Sequence, residues 1–430
     1  MNRLLRIPYS AAGSLATALG RVVPPGQSKF QRALVARRDI VDRYRSWARD
    51  SRDASRPLVW FHAPSVGEGL QALPVIKLVR QLLPAVQLAY THYSPSAEQF
   101  ARSVPCDFVD YLPFDTFAQA EAIISALRPH ALVFSKLDVW PALTESAAKA
   151  RVSVGVISAT LPASSARQGF FARRVLGDAY RSLERVGAID EQDAARLVNA
   201  GVRENQISIT GDTRYDQVWT RAQSAPGALV QSLRSSRPTL VAGSIWPSDE
   251  LHLFAAWLRV RERIPDARLI IAPHETSPAQ LRTVERWANT ASLVLARIDS
   301  TAARDADVVL VDRYGILGDL YALADVAYVG GGFHSAGVHS VLEPAAFGAP
   351  VLFGPKNERS RDAQKLSAAR GGAEIRGSTD LALRLADWLG SISGRDVAGA
   401  NAREMVREGL GAAERSFDLV KALLRRESSA

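Results

Sequence analysis

The 430-residue sequence contains a single cysteine, Cys106, and no cluster of cysteine and histidine with zinc-binding spacing. One cysteine excludes a disulfide within the chain, and the missing cluster argues against a structural zinc ion. Both absences are typical of a protein from a reducing compartment. We interpret Cys106 as a small apolar residue of the interior rather than as a nucleophile.

The sequence also lacks an apolar run of about 20 residues, the length that a helix needs to span a bilayer. It has no internal repeat with a period of roughly 20 to 50 residues, which excludes solenoids and propellers. Beyond the N-terminal segment it has no basic stripe with interspersed aromatic residues, which argues against a nucleic-acid partner.

Most of the net positive charge lies in residues 1–50, which contain ten Arg or Lys and three Asp. The formal net charge of the chain is +9, so the other 380 residues carry only +2. Residues 7–20 are uncharged, too short to span a membrane, and flanked by arginine. We predict a basic membrane-surface arm over residues 1–50, with a helix in the bilayer interface. A signal peptide and a solvated helix are the alternatives.

A chain of this length favours two domains of roughly 200 residues each. Short apolar runs rich in β-branched residues alternate with helical patterns in two series, which predicts an α/β protein with two doubly wound parallel sheets. We predict one domain over residues 51–225 and another over 226–430. The predicted strands of the two series are residues 58–63, 86–93, 130–136, 153–160, 185–190 and 207–212, then 239–245, 268–274, 292–298, 307–313, 325–333 and 349–355.

The first candidate site is the sequence HAPSVGEG at residues 62–69, between a predicted strand and a predicted helix. Ser65 and Gly67 permit a tight turn, and the free N–H groups of the helix start attract an anion. Glu68 could deprotonate an acceptor hydroxyl, which a transferase requires. The alternative is that Glu68 only complements the helix dipole.

The second candidate site is the segment GGGFHSAGVHSVLEPAAFGAPVLFGP at residues 330–355. Three glycines let the backbone approach a ligand, and we expect the following helix to begin near His339 or Ser340. Glu343 would accept hydrogen bonds from ribose hydroxyls, although ordinary packing is an alternative explanation of the glycines. The spacing G-x-G-x-x-G is absent.

Seven elements in the same order resemble the transferases of 3-deoxy-manno-octulosonic acid (Kdo), over residues 57–412. They are HAPSVGEG, LDVWPAL, GDTRYD, VAGSIWPSDE, IAPHE, DRYGILGDLYALADVAYVGG and VHSVLEPAAFGAPVLFGP. The resemblance implies a GT-B fold in which an acceptor domain and a nucleotide-sugar domain face a central cleft.

The resemblance further implies an inverting, metal-independent transfer of Kdo, or a similar ulosonic acid, from its CMP-activated form to a lipid A precursor. The donor substrate is CMP-Kdo, with no separate cofactor. The protein would act at the cytoplasmic face of the inner membrane, bound peripherally or anchored by its N terminus. By position the catalytic group comprises Glu68, Asp138, Arg214 and Lys136. The CMP pocket comprises His274, Glu275, Tyr314, Gly315, Ile316, Ser340, Val341, Leu342 and Glu343.

Several residues depart from the family pattern. Lys136 stands where the family has a glutamate, and His274 where it has an arginine. Ser340 replaces an asparagine, Ile316 replaces an acid, and Arg214 replaces a lysine, which keeps the charge but changes its geometry. These departures bear on the sugar and the acceptor rather than on the CMP-linked donor.

Two other functions fit parts of the sequence. A UDP-sugar transferase or epimerase of the GT-B class would share the glycine turn and Glu343, but not SVGE or LDVWP. A non-catalytic sugar-binding protein of the same fold is suggested by Lys136.

Overall fold

The computed structural model describes residues 3–26, 28–163, 165–224 and 226–425. It divides into two compact units, one formed by Met1–Gln217 with Leu410–Ala430 and the other by Val218–Gly409. Each unit contains a seven-stranded parallel sheet, which confirms the predicted pair of doubly wound sheets.

In the first unit the sheet has the strand order β3-β2-β1-β4-β5-β6-β7. Its strands are Leu58–His62 (β1), Gln87–His92 (β2), Phe108–Tyr111 (β3), Ala131–Ser135 (β4), Ser153–Ala159 (β5), Arg185–Ala188 (β6) and Ile207–Ile209 (β7). Residues of β1, β2, β4 and β5 are all buried, as expected for parallel strands that are covered by helices on both faces.

The helices of the first unit cover this sheet on both faces and include the end of the chain. They are Arg3–Val22 (α1), Lys29–Val35 (α2), Ile40–Asp50 (α3), Val66–Leu82 (α4), Glu98–Ala101 (α5), Phe117–Leu127 (α6), Pro141–Lys149 (α7), Phe170–Arg181 (α8), Glu191–Ala200 (α9), Arg214–Gln223 (α10), which runs past Gln217, and the last helix of the chain, Ala412–Leu424 (α19).

In the second unit the sheet has the strand order β10-β11-β9-β8-β12-β13-β14. Its strands are Thr239–Ile245 (β8), Arg268–Pro273 (β9), Leu295–Arg297 (β10), Val308–Leu310 (β11), Val326–Val329 (β12), Val351–Phe353 (β13) and Gly372–Glu374 (β14). Its helices are Ala228–Ser232 (α11), Pro247–Arg263 (α12), Pro278–Thr290 (α13), Leu317–Leu320 (α14), Leu342–Ala346 (α15), Arg361–Ala368 (α16), Ser378–Gly390 (α17) and Ile392–Glu408 (α18).

The N-terminal segment differs from the predicted arm because its second half belongs to the core of the first unit. Ile40 and Tyr44 of α3 are buried in the same cluster as Trp60 and Phe108. Arg37 is also buried, and its guanidinium lies 4.1 Å from the ring centre of Tyr93. Residues 34–50 are therefore part of the folded unit.

Helix α1 packs on the first unit through its polar and small residues. The Tyr9 hydroxyl donates to Asp115 at 2.7 Å, and Arg6 pairs with Glu145 at 2.7 Å. Its opposite face exposes Ile7, Leu15 and Val22, at 78%, 62% and 76%. Within the described residues, no helix combines the length and the apolar character needed to cross a membrane.

Two strands and one boundary differ from the sequence prediction. Strands β3 and β14 were not predicted, because each is short and only partly buried. The last helix, α19, was predicted in the second domain but packs on α4 and β5 of the first unit. Burial of Phe417, Val420 and Leu423 against the first sheet explains this return of the chain.

Candidate active site

Both candidate sites lie at the carboxyl edge of a sheet, at the point where the strand order reverses. In the first sheet the reversal lies between β1 and β4, and in the second between β8 and β12. Ligands bind at such switch points in open α/β sheets because the chain leaves neighbouring strands in opposite directions and opens a crevice there. The segments after β1 and β4, and after β8 and β12, contain most of the predicted site residues.

Glu68 and Lys136 are 68 residues apart in the sequence and meet at the switch point of the first sheet. Lys136 Nζ lies 3.3 Å from Glu68 Oε1, and the Ser65 hydroxyl donates to Glu68 Oε2. Ser135 donates to the Glu68 carbonyl at 2.8 Å, which fixes the first turn of α4 against the end of β4. The Glu68 side chain is 18% exposed and that of Lys136 is 46% exposed.

The electrostatics of this group keep Glu68 ionised. Burial acts to raise the pKa of Glu68, but the Ser65 hydroxyl and the Lys136 ammonium outweigh it, so the pKa lies below its usual value. Lys136 adopts a left-handed backbone conformation with φ of 63°, in the sharp turn after β4. Glu68 therefore remains able to accept a proton at neutral pH.

Arg214 begins α10 and is paired with a buried carboxylate. Its Nε and Nη2 atoms lie 2.9 and 2.7 Å from Asp212 Oδ2. Gln71, three residues after Glu68 in α4, donates to the other Asp212 oxygen at 3.1 Å. Burial acts to raise the pKa of Asp212, but Arg214 outweighs it, so the pKa lies below its usual value. Side-chain contacts thus connect Arg214, through Asp212, to Gln71 in the helix that contains Glu68.

Asp138 does not contact Glu68 and instead forms an ion pair with Arg167 at 2.5 Å. The two residues line a cavity of about 380 Å³ together with apolar side chains of α1, α7 and α8. The neighbouring Trp140 donates to His62 Nε2 at 3.0 Å, and burial lowers the pKa of His62 to about 3. His62 is therefore a neutral residue that orients Trp140.

In the second unit, a buried carboxylate holds the glycine-rich loop after β12. Asp249 accepts hydrogen bonds from the backbone N–H groups of Trp246, Gly331 and Phe333 at 3.0, 2.8 and 3.3 Å. The Tyr328 hydroxyl donates to it at 3.2 Å. Gly331 has φ of 92°, and a Cβ there would lie 2.3 Å from the Gly337 carbonyl oxygen. Only glycine fits this close approach.

Glu343 forms an ion pair with Arg221 at 3.7 Å, and Arg221 also pairs with Asp319 at 3.3 Å. Burial raises the pKa of Glu343 above its usual value, although Arg221 acts in the opposite direction. The helix that contains Glu343, α15, begins at Leu342 rather than near His339 or Ser340. Leu342 is buried, as is Val341, so these two residues could contribute only backbone groups to a pocket.

The other predicted pocket residues lie in loops at the carboxyl edge of the second sheet. His274 and the exposed Glu275 follow β9, and Ser340 is exposed in the loop before α15. Tyr314 is 68% exposed, and its hydroxyl accepts a hydrogen bond from Thr276 N–H at 3.1 Å. Gly315 has φ of 89°, and Ile316 precedes the first residue of α14.

Sequence reasoning missed a group of rings in this region. Trp246 stacks on His274 and His334 with ring centres 4.0 and 3.9 Å apart, and it donates to His339 Nε2 at 3.0 Å. It also missed Arg221, Asp249 and Arg167, because nothing in a sequence pattern pairs charges across separate loops. Two histidines five residues apart beside three glycines were the available signal.

Burial raises the pKa of the Cys106 thiol, so Cys106 is protonated at neutral pH and is not a nucleophile. Across the described ranges, no group of three or more His, Cys, Asp or Glu residues is placed to hold a metal ion.

Solved structures with a similar fold match nearly the whole chain. The UDP-GlcNAc 2-epimerase from Neisseria meningitidis bound to UDP-GlcNAc matches with a TM-score of 0.61 and 13% identity, covering 86% of this chain and 100% of that protein. The two doubly wound units and this likeness define the GT-B fold class, as predicted.

Sequence comparisons show which proteins the chain resembles. Residues 38–217 match the family model of 3-deoxy-D-manno-octulosonic-acid transferase (kdotransferase). The 3-deoxy-D-manno-octulosonic acid transferase of Bordetella pertussis is 28% identical over 378 residues, 84% of this chain and 86% of that protein. The transferase of the same name from Chlamydophila psittaci is 28% identical, over 71% of each chain. In sequence the chain is thus similar to the Kdo transferases over most of its length.

Proposed function

We propose that this protein transfers Kdo, or a similar ulosonic acid, from its CMP-activated form to a lipid A precursor at a membrane surface. The proposal rests on the sequence similarity to Kdo transferases and on Glu68, an ionised and partly exposed carboxylate at the switch point of the first sheet. The transfer inverts the anomeric centre and uses no metal ion.

Glu68 is the catalytic base. Its carboxylate accepts the proton of the acceptor hydroxyl while that oxygen attacks the activated sugar carbon. The bond between this carbon and the phosphate oxygen breaks, and CMP leaves with the electron pair. A neutral alcohol is a poor nucleophile, so proton removal in the transition state accelerates the reaction by about 10² to 10⁴. Ser65 and Lys136 orient the carboxylate through the contacts described above.

Lys136 and Arg214 supply the positive charge of the acceptor unit. Lys136 is 46% exposed and is shared between Glu68 and solvent, so it can also contact an anionic group of a substrate. The side chain of Arg214 is 38% exposed, and Asp212 fixes its orientation through two contacts. Fixed positive charge stabilises the negative charge that develops on a departing phosphate or on a donor carboxylate. Asp138 and Arg167 border the cavity beside α1, where an apolar part of the acceptor fits.

The second unit binds the nucleotide. Glu343 accepts hydrogen bonds from the ribose hydroxyls, while Arg221 holds its carboxylate in place. The CMP pocket is lined by His274, Glu275, Tyr314, Gly315, Ile316, Ser340 and the backbone of Val341 and Leu342. Gly315 has a positive φ, which favours glycine, and no atom lies within 4 Å of the position that a Cβ would take. The space beside it is therefore open to a ligand.

The membrane contact is the exposed face of α1. Ile7, Leu15 and Val22 project from the side of the helix opposite to the Tyr9 contact. Burial of such side chains in the interface, combined with attraction of Arg21 to anionic headgroups, gives reversible peripheral binding.

The catalytic proposal is tested by a transfer assay with CMP-Kdo and a tetraacylated lipid A precursor, read by mass spectrometry. We expect product with the wild type and a decrease of about 10² to 10⁴ in turnover for Glu68→Gln. The matched control is Glu191→Gln, an exposed acid in the first turn of α9, which should retain full activity. Product formation by Glu68→Gln at the wild-type rate would contradict the role of Glu68.

The donor assignment is tested by thermal denaturation with CMP and with UDP. A ligand that binds only the folded state raises the melting temperature. We expect CMP to raise it and UDP to have little effect. Stabilisation by UDP alone would favour a UDP-sugar enzyme instead.

The membrane contact is tested by flotation with vesicles that contain anionic lipid. The triple variant Ile7→Ser, Leu15→Ser, Val22→Ser should lose binding while keeping its melting temperature, since all three residues are exposed. The control replaces three exposed residues of the second unit, Leu251, Val294 and Leu383, by Ser. Equal flotation of both variants would exclude α1 as the contact.

A further inference from the structure

Four rings form one group at the carboxyl edge of the second sheet. Trp246 follows β8, His274 follows β9, and His334 and His339 lie in the loop after β12. The indole is sandwiched between His274 and His334, with interplanar angles of 15° and 8°. The group occupies the switch point of this sheet, beside the three glycines of residues 330–332.

The hydrogen bonds of two histidines fix their tautomers. Trp246 Nε1 can only donate, so His339 Nε2 is the acceptor and the ring carries its hydrogen on Nδ1. The backbone N–H of Ala336 donates to His334 Nδ1 at 3.1 Å, so His334 carries its hydrogen on Nε2. Each of these rings retains one N–H donor on its other nitrogen.

His274 differs from the other two histidines because its ring nitrogens have no hydrogen-bond partner among the residues described. It can therefore accept a proton without losing a bond. Trp246 covers one face of the imidazole, and an indole face favours a cation. Burial is the largest effect on His274 and lowers its pKa, while Glu275 acts to raise it. The ring is then neutral at pH 7.

The other charged groups around the rings are already paired or lie at the rim. Asp249 and Glu250 begin α12, where Asp249 accepts the backbone N–H groups of the glycine loop and Gln280 donates to Glu250. Glu275 is exposed, and Lys356 Nζ lies 3.4 Å from the Phe333 carbonyl oxygen. Tyr314 is engaged with Thr276. Of the three histidines, His274 is thus the one that can gain a proton without losing a hydrogen bond.

We propose that Trp246, His274, His334 and His339 form an anion-binding subsite for the phosphate of the donor, in which His274 takes up one proton as the anion binds. His334 and His339 donate neutral N–H groups, and Trp246 holds the protonated imidazole. The proposal rests on the proposed function, since it assigns the donor to this unit. It explains how a histidine can serve where the family pattern has an arginine.

Proton uptake makes anion affinity depend on pH in a defined direction. A bound anion raises the proton affinity of His274 above its value in the free site. The affinity for the anion is then highest at pH values below the pKa of His274 in the free protein. It falls by up to tenfold per pH unit as the pH rises, and it becomes constant above the pKa of His274 in the complex. One proton sets the upper limit of this slope.

The experiment is calorimetric titration of the full chain with the 5′-methyl phosphodiester of cytidine monophosphate, which does not titrate between about pH 5 and 8. Titrations in buffers of different ionisation enthalpy give the number of protons taken up. We expect uptake of up to one proton by the wild type near pH 7 and a dissociation constant that increases with pH. His274→Arg should bind with no proton uptake and no pH dependence, and His274→Gln should bind weakly throughout. His252→Gln, which changes a histidine that packs against Phe333 outside the group, is the matched control and should resemble the wild type.

Binding by the wild type without proton uptake, or undiminished uptake by His274→Arg, would overturn the subsite. If the donor of this protein is not CMP-linked, the titrations give a different result. If the cytidine probe does not bind but the uridine analogue binds with uptake that requires His274, the subsite stands and the CMP assignment fails. Binding of neither probe to folded protein refutes the subsite as well.

Discussion

The two units each place a buried aspartate beneath their candidate site, and they neutralise it in different ways. In the first unit Asp212 accepts from the guanidinium of Arg214, from the Arg214 N–H and from Gln71. In the second unit Asp249 accepts from three backbone N–H groups and one tyrosine hydroxyl. One carboxylate has a cationic partner, whereas the other has only neutral donors.

This difference shows how each unit prepares for its substrate. In the first unit Glu68, Asp138 and Asp212 are each paired with a cation, and the Lys136 ammonium helps to keep Glu68 ionised. The second unit fixes a loop with neutral groups around three histidines and one indole. In this site His274 can take up a proton from solvent when an anion binds.

Within this comparison the larger effect is expected from Asp249→Ala, which removes the acceptor of the glycine loop. Each buried donor left without a partner costs about 1 to 3 kcal/mol, so we expect a loss of about 4 kcal/mol in the free energy of unfolding. CMP binding should fall at least tenfold, because the loop no longer holds its shape. Urea denaturation and calorimetry measure the two effects.

The comparison variant is Asp212→Ala in the first unit. The Arg214 side chain is 38% exposed and can be solvated after the change, so we expect a smaller loss of about 2 kcal/mol. Equal losses of unfolding free energy in the two variants would contradict the distinction between an aspartate held by neutral donors and one held by a cation.

Tyr44→Ala should also be severe, because Tyr44 is fully buried in the first unit and its hydroxyl donates to the Tyr111 carbonyl at 2.8 Å. Truncation of a buried aromatic residue costs about 3 to 5 kcal/mol. Val22→Ala on the exposed face of α1 should change stability by less than about 0.5 kcal/mol. Similar values for the two variants, measured by urea denaturation, would restore the interpretation of residues 1–50 as an unpacked arm.

Glu250→Gln tests a buried carboxylate of the second unit that has no cationic partner among the residues described. Burial raises the pKa of Glu250 to about 7, above its ordinary value of 4.5. Because the folded state resists ionisation, the wild type loses stability as pH rises from 4.5 to 7, by up to about 3 kcal/mol. The variant should therefore be more stable at pH 8 and show no gain at pH 4.

The control for this prediction is Glu262→Gln, an exposed position of the same helix. It should change stability by less than about 0.5 kcal/mol at either pH. A gain for Glu250→Gln that is the same at pH 4 and pH 8 would show that ionisation is not its cause.

The smallest effect is expected from Lys136→Met, which removes the cation beside Glu68. The Glu68 pKa lies below its usual value partly because of Lys136, so the variant should have a higher pKa at this position. Since the base must be ionised, the acid limb of kcat/KM should move to higher pH. Lys149→Met, which removes the cation of a more exposed pair with Glu121, should leave the profile unchanged. A downward shift in Lys136→Met would contradict the electrostatic role.

Much of the fold could be predicted because parallel strands buried on both faces read as continuous apolar runs. Each predicted strand overlaps an observed one, and the sheets contain just two more, at Phe108–Tyr111 and Gly372–Glu374. Three- and four-residue strands with partly exposed positions lack such a signal. The N-terminal helices were predicted as an arm because their charge is visible in the sequence, whereas the burial of Tyr44 depends on Trp60 and Phe108.

The sequence by itself determined two doubly wound sheets, the chain segments that end at their switch points, and the acid that follows the first strand. Local patterns suffice for these features, because strand ends and glycine turns are properties of neighbouring residues. Only the tertiary structure decided that Lys136 meets Glu68, that Asp249 holds the glycine loop, and that Trp246 orders three histidines. These contacts join residues from separate loops, and their energies depend on distance, burial and orientation, which no local pattern records.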